Sequence, residues 1–230
     1  MKLAGRRGHA LLKNGLNTSA KSILNEYQEA QKVLDALKTY MDFLDVSTPE
    51  KVASDQNSDL DYGINKINTY KPELSFSLHL NAGGGTGCEV FYYTGSTKGK
   101  RAAEKVAAAL AELGFKNRGA KPSTVYKELR KTTAPHIIIE ICFTDTQADA
   151  DLLHKLGPDA VARKIVKGLT GAEPAAPVLE KTEAAQDVET EEPAVMKYQV
   201  VSGTYATMDE AEARAAKLQK AGFSTKIVTI

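Results

Sequence analysis

Hydrophobic and polar residues alternate through LSFSLHLN. Leu74, Phe76, Leu78 and Leu80 face one way, and Ser75, Ser77, His79 and Asn81 face the other, a period of two that predicts a β-strand. From Ser22 the period changes. Ile23, Tyr27, Ala30, Leu34, Leu37 and Met41 recur at spacings of three and four, the stripe of an amphipathic helix, with Glu26 at the edge of its apolar side. MKLAGRR ahead of it reads as a first strand. A polar stretch and a short helical run separate the helix from LSFSLHLN, which ends in the glycine-rich turn NAGGGTG. EVFYY is a further strand, and KGKRAAEKVAAALAELGF a helix stopped by Gly114. HIIIEICF is almost continuously apolar and β-branched, as expected of a central strand covered on both faces. DADLLHKLGPDAVARKIVKGLTG closes the run with one or two helices. Strands alternating with helices predict an α/β domain over residues 1–171, with a twisted, mostly parallel or mixed sheet flanked by helices.

Composition then divides the chain. Of 230 residues 42% are hydrophobic, enough for a real core. Residues 172–195 carry seven acidic side chains against one lysine, a charge of −6, and are rich in Ala, Glu, Pro and Thr; they read as a flexible linker. Residues 1–171 have 24 basic and 19 acidic groups, or +5, a balance equally common without a polyanionic partner, and no nucleic-acid ligand is expected. Residues 196–230 hold YQVVSGTY, a helix ending at Gly222 and STKIVTI, a small C-terminal βαβ module. Below about 40 residues a chain rarely folds alone, so this module is expected to pair with its copy in a homodimer. No stretch approaches the ~18 apolar residues of a membrane span, and MKLAGRRGHALLKNG lacks a signal-peptide core. Synthesis in the cytoplasm is the expectation, with access to any extracellular substrate through a phage holin or lysis of the cell. Cys88 and Cys142 cannot form a disulfide framework; Cys142, inside IIIEICF, reads as a buried reduced thiol, and neither is given a catalytic role.

Four polar groups remain to be explained. Glu140, inside IIIEICF, requires an ion-pair partner, a wet cleft or a raised pKa. His79 and His9 each sit late in or just beyond a strand, and each alone is more often a hydrogen-bonded structural residue than a ligand. Glu26 could equally pair with Lys21 or Lys32. Together they suggest more, because functional groups gather beyond the carboxyl ends of strands in open α/β sheets. Two imidazoles and a carboxylate make an open three-ligand zinc site, with water as the fourth group. Zinc would polarise a carbonyl and bring the pKa of water to about 7, and a further carboxylate could move the proton.

The sequence resembles the zinc-dependent N-acetylmuramoyl-L-alanine amidases of the type 3 fold, among them the catalytic domains of bacteriophage endolysins that attack Gram-positive walls. The resemblance covers about residues 1–170. It rests on RGH at Arg7 to His9, NEYQEAQKVL from Asn25, SLHLNAGGGTGCEVFYY, FKNRGAK and TTAPHIIIEICFTD. It implies one Zn2+ per catalytic domain held by His9, Glu26 and His79, with Glu140 as the catalytic glutamate. It also implies hydrolysis of the amide between N-acetylmuramic acid and the L-alanine of the peptidoglycan stem, in an endolysin or autolysin role. Asn81 would orient a ligand or the substrate, and Asn117 and Arg118 would shape the cleft, although a turn explains NRG as well. Val46 to Tyr70 matches nothing in the family pattern. The C-terminal module resembles half of a sporulation-related repeat (SPOR), with Tyr198, Gln199 and Tyr205 as expected glycan contacts. Two alternatives stay open, a zinc peptidase acting on another wall peptide bond and a non-catalytic peptidoglycan-binding protein.

Overall fold

A computed structural model describes residues 1–174 together with Met208 and Glu212. The chain divides into two units, Met1–Leu179 and Glu180–Ile230. The expected SPOR-like module, its pairing, the contacts Tyr198, Gln199 and Tyr205, and the linker beyond residue 174 lie outside the described residues.

The first unit is a six-stranded mixed sheet with five helices, in the order β1 (Leu3–Arg7), α1 (Glu26–Tyr40), β2 (Leu44–Asp45), α2 (Gln56–Tyr70), β3 (Leu74–Asn81), β4 (Cys88–Tyr93), α3 (Thr97–Ala111), β5 (Asn117–Ser123), α4 (Lys127–Lys131), β6 (His136–Phe143) and α5 (Gln147–Thr170). Across the sheet the strands run β2-β1-β3-β6-β4-β5, with all neighbours parallel except β4 and β6. The expected α/β fold class is therefore observed, in its mixed form.

Helices α1, α3 and α5 cover one face, and α2 and α4 part of the other. The apolar row Leu74, Phe76, Leu78 and Leu80 enters the main core with Val33, Leu34, Leu37, Val106, Leu110, Ile137, Ile139 and Ile165. The alternation in β3 suggests a half-exposed strand, yet Ser75 and Ser77 are also buried. The reason is the parallel pairing of β3 between β1 and β6, which places α2 and α4 over its polar side. This cover ends midway along the strand, where His79 and Asn81 emerge half-buried.

Three elements depart from the sequence reading. Ile23 lies ahead of the helix and is exposed, because Asn25 caps α1 by accepting from Gln28 N and the helix starts at Glu26. NRGAKPS is edge strand β5 and not a turn; its polar composition suits a strand paired on one side only. The expected short helical run is α2, which is longer than the sequence reading has it and starts inside the polar stretch, at an Asp55 capping box. The closing segment is two helices broken at Gly157, where φ is 71° and Pro158 follows.

The polar side of the sheet holds a buried chain of hydrogen bonds. Arg6 donates to Asp59 Oδ1 at 2.7 Å and to Glu128 Oε1 at 3.3 Å. Ser77 links Glu128 Oε2 to His136 Nε2, and Ser75 lies 2.8 Å from His136 Nδ1. Gly63 is required here, because a Cβ at that position would press on the Arg6 guanidinium. Burial pushes the His136 imidazole down to about 4, with Arg6 opposing its protonation and Glu128 favouring it. The unfolded chain takes up a proton near pH 6.5 and the folded chain only near 4, so His136 contributes stability in full above 6.5 and loses it as pH falls toward 4. Urea unfolding at pH 7 and pH 4.5 should show a gap that shrinks by on the order of 2 kcal/mol in His136→Gln. An unchanged gap would contradict this origin.

Candidate metal centre and active site

The chain leaves β1 through Arg7, Gly8 and His9 at the carboxyl end of the sheet. Gly8 N donates to Leu78 O at 2.7 Å, and any Cβ on Gly8 would fall inside the His79 imidazole, so the glycine of RGH lets two strand ends close on each other. His9 itself adopts a left-handed φ of 61°, an uncommon conformation for a residue with a side chain and one that clusters at functional sites. It brings the His9 ring to 5.1 Å from the His79 ring, nearly edge to face at 76°.

Glu26, the first residue of α1, reaches between them. Its Oε1 lies 3.2 Å from His9 Nε2 and 3.0 Å from His79 Nδ1, and also accepts from Leu80 N at 3.3 Å. Its Oε2 accepts from Ala20 N at 2.8 Å, which fixes the carboxylate plane. His9 Nδ1 contacts Thr18 Oγ1 at 3.0 Å, leaving Nε2 to point inward. Burial opposes ionisation of Glu26, but the two histidine hydrogen bonds outweigh it and hold the carboxyl well below its usual range. Burial likewise opposes protonation of His79, yet Glu26 and the charge of Glu140 together push it up to about 9. The cluster thus draws positive charge. One ligand atom from each of His9, Glu26 and His79 lies within 4.8 Å of the others, and the 3.2 and 3.0 Å contacts to Glu26 Oε1 match the ~3.3 Å between tetrahedral ligands that each stand ~2 Å from one ion. The donor set, two imidazoles and one carboxylate with an open side, fits zinc.

Glu140 is the register partner of His79 on the adjacent strand β6. It forms no ion pair among the described residues, and its Oε2 is buried without a hydrogen-bond partner. Burial pushes this carboxyl up to about 7, with Glu26 and Glu89 adding to the rise and His79 opposing it. Of the three solutions open to a carboxylate in an apolar strand, the ion pair is absent among the described residues and the raised pKa is present. Neither lysine expected as an alternative partner pairs with Glu26 among the described residues: Lys32 pairs with Glu29, and the partners of Glu26 are His9 and His79.

The structure therefore brings together His9, Glu26, His79 and Glu140, and adds Glu89 to them. Glu89 lies opposite Glu140 across the antiparallel β4–β6 pair. Its oxygens accept from Asn81 Nδ2 at 2.6 Å and Arg118 Nε at 2.9 Å, so Asn81 and Arg118 meet in one cluster on the polar side of the sheet. Asn117 stands apart: it is exposed at the start of β5, and its Oδ1 accepts from Gly119 N. Glu89 was legible only as a charged residue opening EVFYY. Arg6, Asp59 and Glu128 carried no spacing that would announce them.

Comparison with known proteins agrees with this geometry. An uncharacterised protein of Clostridium perfringens (strain 13 / Type A) is 30% identical over 184 residues, 75% of this chain and 52% of that protein. The chain thus spans about half the length of the clostridial relatives it matches. The N-acetylmuramoyl-L-alanine amidase CwlM of Bacillus licheniformis is 29% identical over 224 residues, covering 93% of this chain and 81% of CwlM. Among solved structures, the catalytic domain of CD27L endolysin targeting Clostridia Difficile superposes with a TM-score of 0.69 at 34% identity, covering 76% of this chain and 99% of that domain. The model of the N-acetylmuramoyl-L-alanine amidase family matches residues 6–171, the whole of the sheet beyond the first strand's opening residues and every site residue described above. The chain belongs to the N-acetylmuramoyl-L-alanine amidase family.

Proposed function

We propose that this protein hydrolyses the amide bond between the lactyl group of N-acetylmuramic acid and the L-alanine of the peptidoglycan stem, with a zinc ion held by His9, Glu26 and His79. The observation that carries the reading is the unpartnered Oε2 of Glu140 beside that trio. Zinc supplies Lewis-acid polarisation of the carbonyl and makes water more acidic. Glu140, basic because it is buried, takes a proton from the attacking water and delivers it to the alanine nitrogen as the C–N bond breaks and a C–O bond forms. Thr18 holds the His9 ring through Nδ1 so that Nε2 points at the trio, and Ala20 N keeps Glu26 aimed. The 34% identity to the catalytic domain of an endolysin supports a lytic, endolysin-type role.

Purified wall digested by the protein should acquire new L-alanine amines and unsubstituted muramic lactate in equal amounts. New amines on any other residue would instead assign a peptidase, and no new ends a binding protein. Chelation should abolish release and also lower the melting temperature. At free zinc 1,000-fold above Kd the ion contributes about 4 kcal/mol, or roughly 10 °C for a domain of this size. One equivalent of zinc should restore both.

A further inference from the structure

We infer that Arg118 is a specificity-determining residue whose guanidinium docks a carboxylate on the peptide side of the substrate. The inference rests on the amidase reading. Strand β5 carries an extra residue against β4: Cys88 pairs with Asn117 and Val90 with Ala120, so Arg118 and Gly119 together oppose Glu89. Gly119 takes the left-handed φ of 79° that this irregularity needs. Bulges of this kind re-aim a side chain, and here Arg118 is turned onto the face that bears His79, Glu140 and Glu89.

The guanidinium is held on two sides. Nε donates to Glu89 Oε2 at 2.9 Å, and the plane lies 5.0 Å from the Phe143 ring. Glu89 is buried, and its other oxygen is anchored by Asn81. Both terminal nitrogens of Arg118 are without hydrogen bonds among the described residues, and the side chain is 33% exposed. An arginine fixed through Nε, with its terminal fork open to solvent, is organised in advance for an anion.

The fork lies within reach of the scissile bond. Glu140, Glu89 and Arg118 occupy three adjacent strands, and two strand spacings place Arg118 about 10 Å from Glu140. An extended peptide advances ~3.4 Å per residue, so a carboxylate on the first two or three residues beyond the amide reaches it. The N-acetylated sugars on the other side of that amide carry no charge, which leaves the peptide as the anionic half.

The test uses zinc-loaded full-length protein and two muramoyl-L-alanyl peptides that differ only in whether the residue after alanine bears a free carboxylate or a carboxamide. The wild type should favour the carboxylate in kcat/KM by about 10- to 100-fold, mainly through KM. Arg118→Ala should erase the preference while still cutting the amidated substrate, and Arg118→Lys should keep part of it. Loss of the Glu89 contact alone would slow both substrates equally and leave the ratio intact, so the ratio separates docking from a structural role. Equal rates on both substrates with the wild type, or a preference that survives in Arg118→Ala, would overturn the inference and leave the amidase reading standing. Release of no alanine amine from either substrate would overturn the amidase reading, and the inference with it. Should Arg118→Ala not fold, the wild-type ratio decides alone.

Discussion

Replacing Glu140 with glutamine is expected to lower kcat by about 10³-fold while zinc content stays at one per chain, because the amide has the shape of the carboxyl but cannot move a proton. The same change should stabilise the metal-free protein. Burial raises the Glu140 pKa to about 7 in the fold against 4.5 as the reference value. For a group raised in this way the folded state is disfavoured by ionisation, fully so above pH 7 and not at all below pH 4.5. At pH 8 glutamine should therefore gain up to about 3 kcal/mol over the parent, and at pH 4.5 almost nothing. Activity and stability would move in opposite directions, as expected for a residue retained for chemistry. A variant that clears walls at the parent rate would remove Glu140 from the reaction.

The second large effect concerns Arg6. It is fully buried, and among the described residues it alone pairs with both Asp59 and Glu128. Arg6→Met keeps an unbranched apolar stem but removes the guanidinium and strands two carboxylates in the interior, and should cost about 3–5 kcal/mol, or roughly 10 °C in melting temperature. Neutralising the stranded partners in Arg6→Met/Asp59→Asn/Glu128→Gln should recover part of the loss, since the three act as one unit. If the single variant melted with the wild type, the buried network would have no energetic role. The Arg6 chain also lies directly beneath the site, through Ser77 two residues before His79, so its failure should loosen the end of β3.

Much of the site could be read from the chain because its members conflict with their local surroundings. A glutamate inside IIIEICF and a histidine ending an apolar strand are each unfavourable unless something answers them, and the pattern of neighbours states the conflict. His9 and Glu26 were readable more weakly, through their position after a strand and at a helix edge. Arg118 was visible as a residue but not as a member of a strand, because β5 is polar and at the sheet edge, where burial leaves no periodic mark.

By itself the sequence determined the alternation of strands and helices, the apolar rows that form the core and the identity of the two histidines and two glutamates that converge at the carboxyl end of the sheet, since these follow from period, side-chain volume and donor chemistry. Only the tertiary structure decided that β4 runs against β6, which sets Glu89 opposite Glu140, and that Glu26 fills the space between two imidazoles. It also decided which buried charges answer one another across Arg6, Asp59 and Glu128. Pairing of this kind joins residues 53 to 122 positions apart, and local pattern contains no term for distance between segments until the sheet closes.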